Sequence, residues 1–262
     1  MAAQLLVETD GAALRLTLSN PGLRNALAPE MYDGLQAALE RASADQACRA
    51  VIITGADGAF CAGGNLHRLR ENRAKDKSVQ AESIDRLHAF TRTLMRFEKP
   101  VIAAVEGAAA GAGCSLALAC DLIVGAQSAR FVMSYVKVGL SPDGGGSWFA
   151  ARALSRQSAA EMLLLGDAWT SMRLHALGVV NRVTPDGASL EGARELVARI
   201  AALSPNAVMA AKRLSWQARE ERLDSHLDAE KASFVDCLHH DDAGEAIGAF
   251  LEKRAARFPP NP

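Results

Sequence analysis

The chain of 262 residues has almost no net charge, 29 Lys and Arg standing against 30 Asp and Glu. No global field therefore recruits nucleic acid or an acidic membrane surface, and any anionic ligand has to be met by local groups. Long apolar runs are also missing: the longest, over residues 107–119, is rich in Gly and Ala and falls short of the roughly 20 residues that a spanning helix needs. No basic, then apolar, then small-residue leader opens the sequence, so the expectation is a cytoplasmic protein, neither secreted nor held in a membrane. Cysteines are few and odd in number, Cys48, Cys61, Cys114, Cys120 and Cys237. Most sit among apolar or small residues and read as reduced, buried thiols. There is no Cys-x-x-Cys, no His-Glu-x-x-His and no acidic calcium loop, so no metal is expected. His239 and His240, beside Asp241 and Asp242, read as a solvated loop. With 49% hydrophobic residues the chain is nonetheless able to bury a large core.

What the sequence does have is concentrated in residues 99–121. Residues 101–105 are wholly apolar and follow Pro100, as a strand buried on both faces would read. Glu106 and Gly107 end it. Gly111, Ala112 and Gly113 then open an uncharged segment, residues 114–119, with the composition of a buried helix. A helix N-terminus without a Ser, Thr, Asp or Asn cap leaves N–H groups aimed at an anion, or at an oxygen becoming one. Close helix packing is the competing explanation of such small residues. A nucleotide loop is another, but it needs an acidic residue at the end of the next strand, and residues 122–126 offer none; Gly-Lys-Ser/Thr is absent throughout. A second strand, residues 50–55, runs into another small-residue turn that includes Phe60, Cys61, Ala62, Gly63 and Gly64. Two turns that each present backbone N–H groups are what an oxyanion hole requires.

The remaining chain alternates short elements. Residues 5–7 and 13–18 flank Asp10 and Gly11 as a hairpin. A helix is predicted from Pro29 to the region of Asp45, with Met31, Leu35 and Leu39 on one face. Residues 66–82 are highly charged and read as an exposed helical lid, followed from residue 83 by a helix bearing Leu87, Phe90, Leu94 and Phe97. Strands are predicted at 121–125, 129–133 and 179–183, with helices between 147 and 165. Beyond residue 187 the pattern is helical: 190–203, 206–219, 223–238 and 241–257. Residues 259–262 read as a frayed tail.

Residues 20–27, 55–66, 99–121, the 139–146 loop and the 250–254 tail together resemble the enoyl-CoA hydratase/isomerase (crotonase) superfamily, in the family's order and over nearly the whole chain. The resemblance implies an α/β fold, a crotonase-like spiral of short strand-strand-helix turns. Residues 1–200 would form the spiral acyl-CoA-binding core and residues 201–262 a C-terminal helical region building homotrimers, often paired into hexamers. It implies an acyl-CoA thioester as substrate, with coenzyme A as part of that substrate and no tightly bound cofactor.

Carried over residue by residue, the resemblance makes the amides of Gly64 and Ala112 the oxyanion donors. It sets the Ala62 backbone against the adenine ring, and Arg24, Phe250 and Lys253 toward the nucleotide end. Phe250 and Lys253 are expected on one face of the last helix, Lys253 often serving a neighbouring subunit. The two glutamates of family hydratases fall at Ser115 and Tyr135, so neither carboxylate is present. Ser115 and Tyr135 are left to orient substrate or a water, or to fill the space. Asp143, eight positions after Tyr135, matches the aspartate of several isomerases and of an aromatic-CoA dehalogenase, and His88 matches a histidine of the dehalogenase-like members. Two enzymic expectations stay open: isomerisation or hydration of an enoyl-CoA with Asp143 as acid and base, or hydrolysis or substitution on a cyclic or aromatic CoA thioester with Asp143 as nucleophile and His88 as base. A non-catalytic thioester- or RNA-binding relative is the third. Near-zero net charge speaks against RNA, and the retained small residues at both turns speak against lost catalysis.

Overall fold

A computed structural model describes residues 2–258, so the tail expected at 259–262 lies outside the described residues. Asp10 and Gly11 turn the chain between β1 (Gln4–Asp10) and β2 (Ala13–Ser19), an antiparallel pair with Gln4 opposite Ser19. Pro29 opens α1 (Pro29–Ala44), whose Met31, Leu35 and Leu39 are buried. The last carbonyls of α1 have no intrahelical donors, and the Lys99 ammonium satisfies that end by donating to the Ser43 and Asp45 oxygens at 3.2 and 2.8 Å.

After β3 (Ala50–Gly55) come α2 (Leu66–Asn72) and α3 (Lys77–Arg96). The helix expected from residue 83 begins instead at Lys77, because Asp76 accepts the Ser78 amide at 2.9 Å and caps it. β4 (Val101–Val105), β5 (Ala108–Ala110) and α4 (Ala112–Ala119) follow. Next are β6 (Leu122–Ala126), β7 (Arg130–Val132), a 3-10 helix over Ser134–Val138, α5 (Gly146–Ala153) and α6 (Arg156–Leu165). β8 (Ala168–Thr170), α7 (Ser171–Ala176) and β9 (Arg182–Thr184) complete the strands. Four helices remain: α8 (Ser189–Ala201), α9 (Pro205–Gln217), α10 (Leu223–Leu238) and α11 (Asp241–Leu251).

Six strands form one sheet in the order β1-β2-β3-β4-β6-β9, parallel apart from the first pair. Three short strands form a second, β5-β7-β8, and a bridge from Cys61 to Ala109 extends it by one residue. From β3 to α5 the chain repeatedly lays one strand in the large sheet, one short strand or bridge in the small one, and then a helix, which is the expected spiral. The large sheet is covered on both faces, as parallel strands require. Val51 and Ile53 of β3 pack with Leu16, Leu35 and Phe90, whereas Ile52 packs with Ile102, Val124 and Val197 under α8.

The strand expected at 179–183 forms only as Arg182–Thr184. Before it, Val179 and Val180 are held in a turn by the Leu174 carbonyl, and Asn181 ties back to Ile123. The last helix ends at Leu251 rather than 257: the Lys253 amide reaches the Phe250 carbonyl and the Arg254 amide the Ala249 carbonyl, with Lys253 at φ 58°, a left-handed helix stop.

Candidate active site

The site is built from two backbone turns locked to one another. The first, after β3, is clamped by the Asn25 amide, which donates to the Ala56 and Ala59 carbonyls at 2.8 and 2.7 Å. It then runs alongside β5: the Cys61 amide donates to Ala108, and the Ala110 amide to Cys61, at 2.9 Å each. Gly63 stands at φ 87°, and a Cβ there would lie 2.5 Å from the Ala110 carbonyl oxygen and 3.1 Å from the Ala112 nitrogen. Only glycine lets the turns approach so closely. Across the same contact, a Cβ on Gly113 would lie 2.3 Å from the Cys61 oxygen.

Among the described residues, neither the Gly64 amide nor the Ala112 amide has a hydrogen-bond acceptor. Ala112 is the first residue of the wholly buried α4, which has no side-chain cap, so the positive end of the helix dipole adds to its N–H. Both residues line one cavity of about 370 Å³, together with Ala62, Tyr135, Asp143 and His88.

Asp143 lies in the loop before α5 and is held by residues of two other elements. The Tyr135 hydroxyl donates to its Oδ1 at 2.6 Å, and the Ser115 hydroxyl donates to its backbone oxygen at 3.0 Å. Ser115 and Tyr135 are also within 3.2 Å of one another, and both are buried. Ser115 and Tyr135, expected to orient substrate or to fill space, therefore brace Asp143. Burial pushes the Asp143 carboxyl above the ordinary carboxylate range, against the Tyr135 hydrogen bond and the nearby His88, which pull it down. The Tyr135 phenol is itself pushed well up, by burial first and by the Asp143 charge second, so it stays a donor.

The nucleotide-end residues are more scattered. Arg24 is exposed in the loop before α1, and its carbonyl accepts the Ala62 amide at 3.0 Å; among the described residues no backbone donor reaches the Ala62 carbonyl. Phe250 is 82% exposed on α11, and Lys253 lies past the end of that helix, so the two do not share a helical face as expected. Neither lines the cavity.

Sequence reasoning missed Leu69, Gln80 and Ile84, which also line the cavity from α2 and α3. Leu69 and Gln80 belong to the stretch read as an exposed lid, and Ile84 to the helix expected after it; the signal available was the i, i+4, i+8 spacing of Gln80, Ile84 and His88. All five cysteines are free, and burial pushes the Cys61 and Cys114 thiols up to about 12, which makes them inert. Among the described residues no cluster of three His, Cys, Asp or Glu could hold a metal, and no helix is long and apolar enough to cross a membrane.

A strand-strand-helix spiral whose two glycine turns meet over one cavity defines a protein of the crotonase-like fold class. The chain belongs to the enoyl-CoA hydratase/isomerase family, whose model matches residues 8–261. It is similar to 2,3-dehydroadipyl-CoA hydratase of Escherichia coli (strain K12), 35% identical over 256 residues and 98% of each chain. It is also similar to 1,2-epoxyphenylacetyl-CoA isomerase of the same organism, 32% identical over 97% of each chain. Among solved structures, an enoyl-CoA hydratase from Polaromonas sp. JS666 superposes with a TM-score of 0.96 at 49% identity, over 97% of this chain and 99% of that one.

Proposed function

We propose that this chain is an enzyme that converts an acyl-CoA thioester through an enolate, the Gly64 and Ala112 amides holding the thioester oxygen and Asp143 moving the proton. One observation carries the reading: two acceptor-free amides from separate turns share a cavity with a single braced carboxyl. A thioester enolate concentrates charge on its carbonyl oxygen, and each fixed donor there is worth roughly a hundredfold to a thousandfold in rate.

In the favoured reaction Asp143, as carboxylate, takes a proton from the α carbon of a β,γ-unsaturated thioester. The electron pair moves onto the carbonyl oxygen between the two amides. Return of the proton from Asp143 to the γ carbon shifts the double bond to the α,β position, and the carboxylate is regenerated. A carboxyl raised above its ordinary value is better matched to such a shuttle near neutral pH. Ser115 and Tyr135 replace both hydratase glutamates, which favours isomerisation over hydration by a glutamate pair, though hydration with Asp143 as sole carboxyl belongs to the same reading. Coenzyme A enters as part of the substrate, along Arg24 and Ala62. Phe250 and Lys253 reach it only from a neighbouring copy in a trimer or hexamer.

The second reading takes a cyclic or aromatic CoA thioester, with Asp143 attacking as nucleophile and His88 activating water. His88 lines the same cavity as Asp143, and one similar relative is named for a cyclic acyl-CoA, the ring epoxide 1,2-epoxyphenylacetyl-CoA. A panel of enoyl-CoA and aromatic CoA thioesters, followed by the absorbance of the conjugated thioester, separates the two. Asp143→Asn is expected to lower turnover by roughly 10²- to 10⁴-fold, the contribution of a positioned proton-transfer group. Trapping of a covalent enzyme intermediate would select the second reading, and unchanged turnover in the variant would remove both.

A further inference from the structure

The α3 wall of the cavity contains a polar group that the proposed proton transfer does not use. Gln80, Ile84 and His88 line it from one stripe of the helix, while Leu69, Val138 and Leu140 make neighbouring wall apolar. The orientation of the Gln80 amide follows from its partners. The Lys75 ammonium, which has only donors, lies 3.3 Å from the Asn72 carbonyl oxygen, Oδ1. Asn72 is buried, and its Nδ2 donates to Gln80 Oε1 at 2.9 Å. Gln80 therefore spends its acceptor on Asn72 and is left with its Nε2 donors, which have no acceptor among the described residues.

We infer that Gln80 is a specificity residue that selects an acyl group carrying an uncharged oxygen acceptor, a hydroxyl, keto or ring oxygen, beyond the reacting carbons. This rests on the reading of the cavity as the seat of an acyl thioester. A plain alkyl chain would strand the amide donor away from water, which costs more than the hydrogen bond itself yields. A site built to hydrogen-bond a substrate rejects the analogue without the partner far more strongly than an apolar pocket distinguishes a methylene. The oxygen is uncharged because the Asp143 carboxyl shares the cavity, while Lys75 is spent behind Asn72. His88, able to donate or accept, suits the same kind of oxygen.

Calorimetric binding of unreactive saturated thioesters to the full-length protein tests this without any turnover. Hexanoyl-CoA is compared with 4-, 5- and 6-hydroxyhexanoyl-CoA and with adipoyl-CoA. At least one hydroxylated ligand should bind about tenfold or more tighter than hexanoyl-CoA, the scale of one buried hydrogen bond. The advantage should vanish in Gln80→Leu and in Gln80→Met, neither of which offers a donor to the hydroxyl oxygen. The inference is overturned if hexanoyl-CoA binds best, if adipoyl-CoA alone gains, or if the hydroxyl advantage survives both substitutions. The two readings fail separately: turnover unaffected by Asp143→Asn removes the catalytic assignment without altering these binding ratios, whereas equal ratios leave turnover of enoyl-CoA untouched. Absence of binding by any of the thioesters overturns both.

Discussion

Asp143 is governed by two effects of opposite sign, burial raising its carboxyl and the Tyr135 hydroxyl at 2.6 Å lowering it. Tyr135→Phe removes a donor that favours the charged form, so the carboxyl should rise further. With the carboxylate as base, the ascending limb of kcat against pH should move to higher pH in that variant; a limb that stays in place, or moves down, would detach Tyr135 from the chemistry. Stability follows by linkage. The folded carboxyl holds its proton to higher pH than the unfolded one, so folding takes up a proton between the two values and stability falls as pH rises through the folded value. Asp143→Asn escapes that loss. Its melting temperature should match that of the parent at pH values below the ordinary carboxylate range and exceed it at neutral pH, as checked by thermal unfolding across pH. Asp143 was legible because Ser141, Pro142 and Asp143 sit at a recognisable place in the chain. The bracing by Ser115 and Tyr135 was not, since hydrogen bonds among residues 115, 135 and 143 are made only when separate circuits of the spiral stack. Gln80 was hidden for another reason: one amide and one imidazole at helical spacing in a charged stretch leave no apolar stripe to see.

The elements that matter most are the two turns, and their separation is set by glycine. Gly11 and Gly63 both adopt positive φ, 60° and 87°, but a Cβ on Gly11 meets nothing within 4 Å whereas one on Gly63 meets the Ala110 oxygen at 2.5 Å. Gly11→Ala should cost only the backbone strain, about 1–2 kcal/mol, and leave turnover intact. Gly63→Ala adds an overlap that forces the turns apart, typically a further 1–3 kcal/mol, and it should abolish turnover by displacing the Ala112 amide. Denaturant unfolding and initial rates on the two variants separate strain from site geometry. Both turns and the strands before them could be read from composition, because apolar runs ending in small residues are a strong local signal. β5 and β8, three residues each, carry no periodicity to detect; they exist because the circuits of the spiral align their edges.

At the scale of the whole molecule, the C-terminal helices are fastened to the spiral through α9. Lys212 pairs with Asp121 at 2.6 Å, and Asp121 also accepts the Val101 amide and the Trp216 indole N–H at 2.8 and 3.1 Å. Removing the cation alone leaves a largely buried carboxylate unpaired, so Lys212→Met should destabilise by about 3–5 kcal/mol, measured by denaturant unfolding. Beyond α9 the surface is unusual for a chain on its own. Leu223, Leu227, Phe234 and Leu238 form a stripe along α10, and Phe250 and Leu251 protrude from α11, with Phe234 70% and Phe250 82% exposed. Apolar patches of this kind mark association surfaces. Helical spacing in residues 223–238 showed that an apolar face exists, but no local pattern tells whether such a face turns inward or onto another copy. If copies of this chain meet here, Phe234→Asp with Phe250→Asp should convert the native assembly to monomer in sedimentation velocity while circular dichroism stays unchanged. Turnover should fall with it under the proposal that Phe250 and Lys253, which do not line the cavity of their own chain, serve the thioester of a neighbouring copy. A parent that sediments as a monomer, or a double variant that keeps the parental mass, would leave these helices without that role.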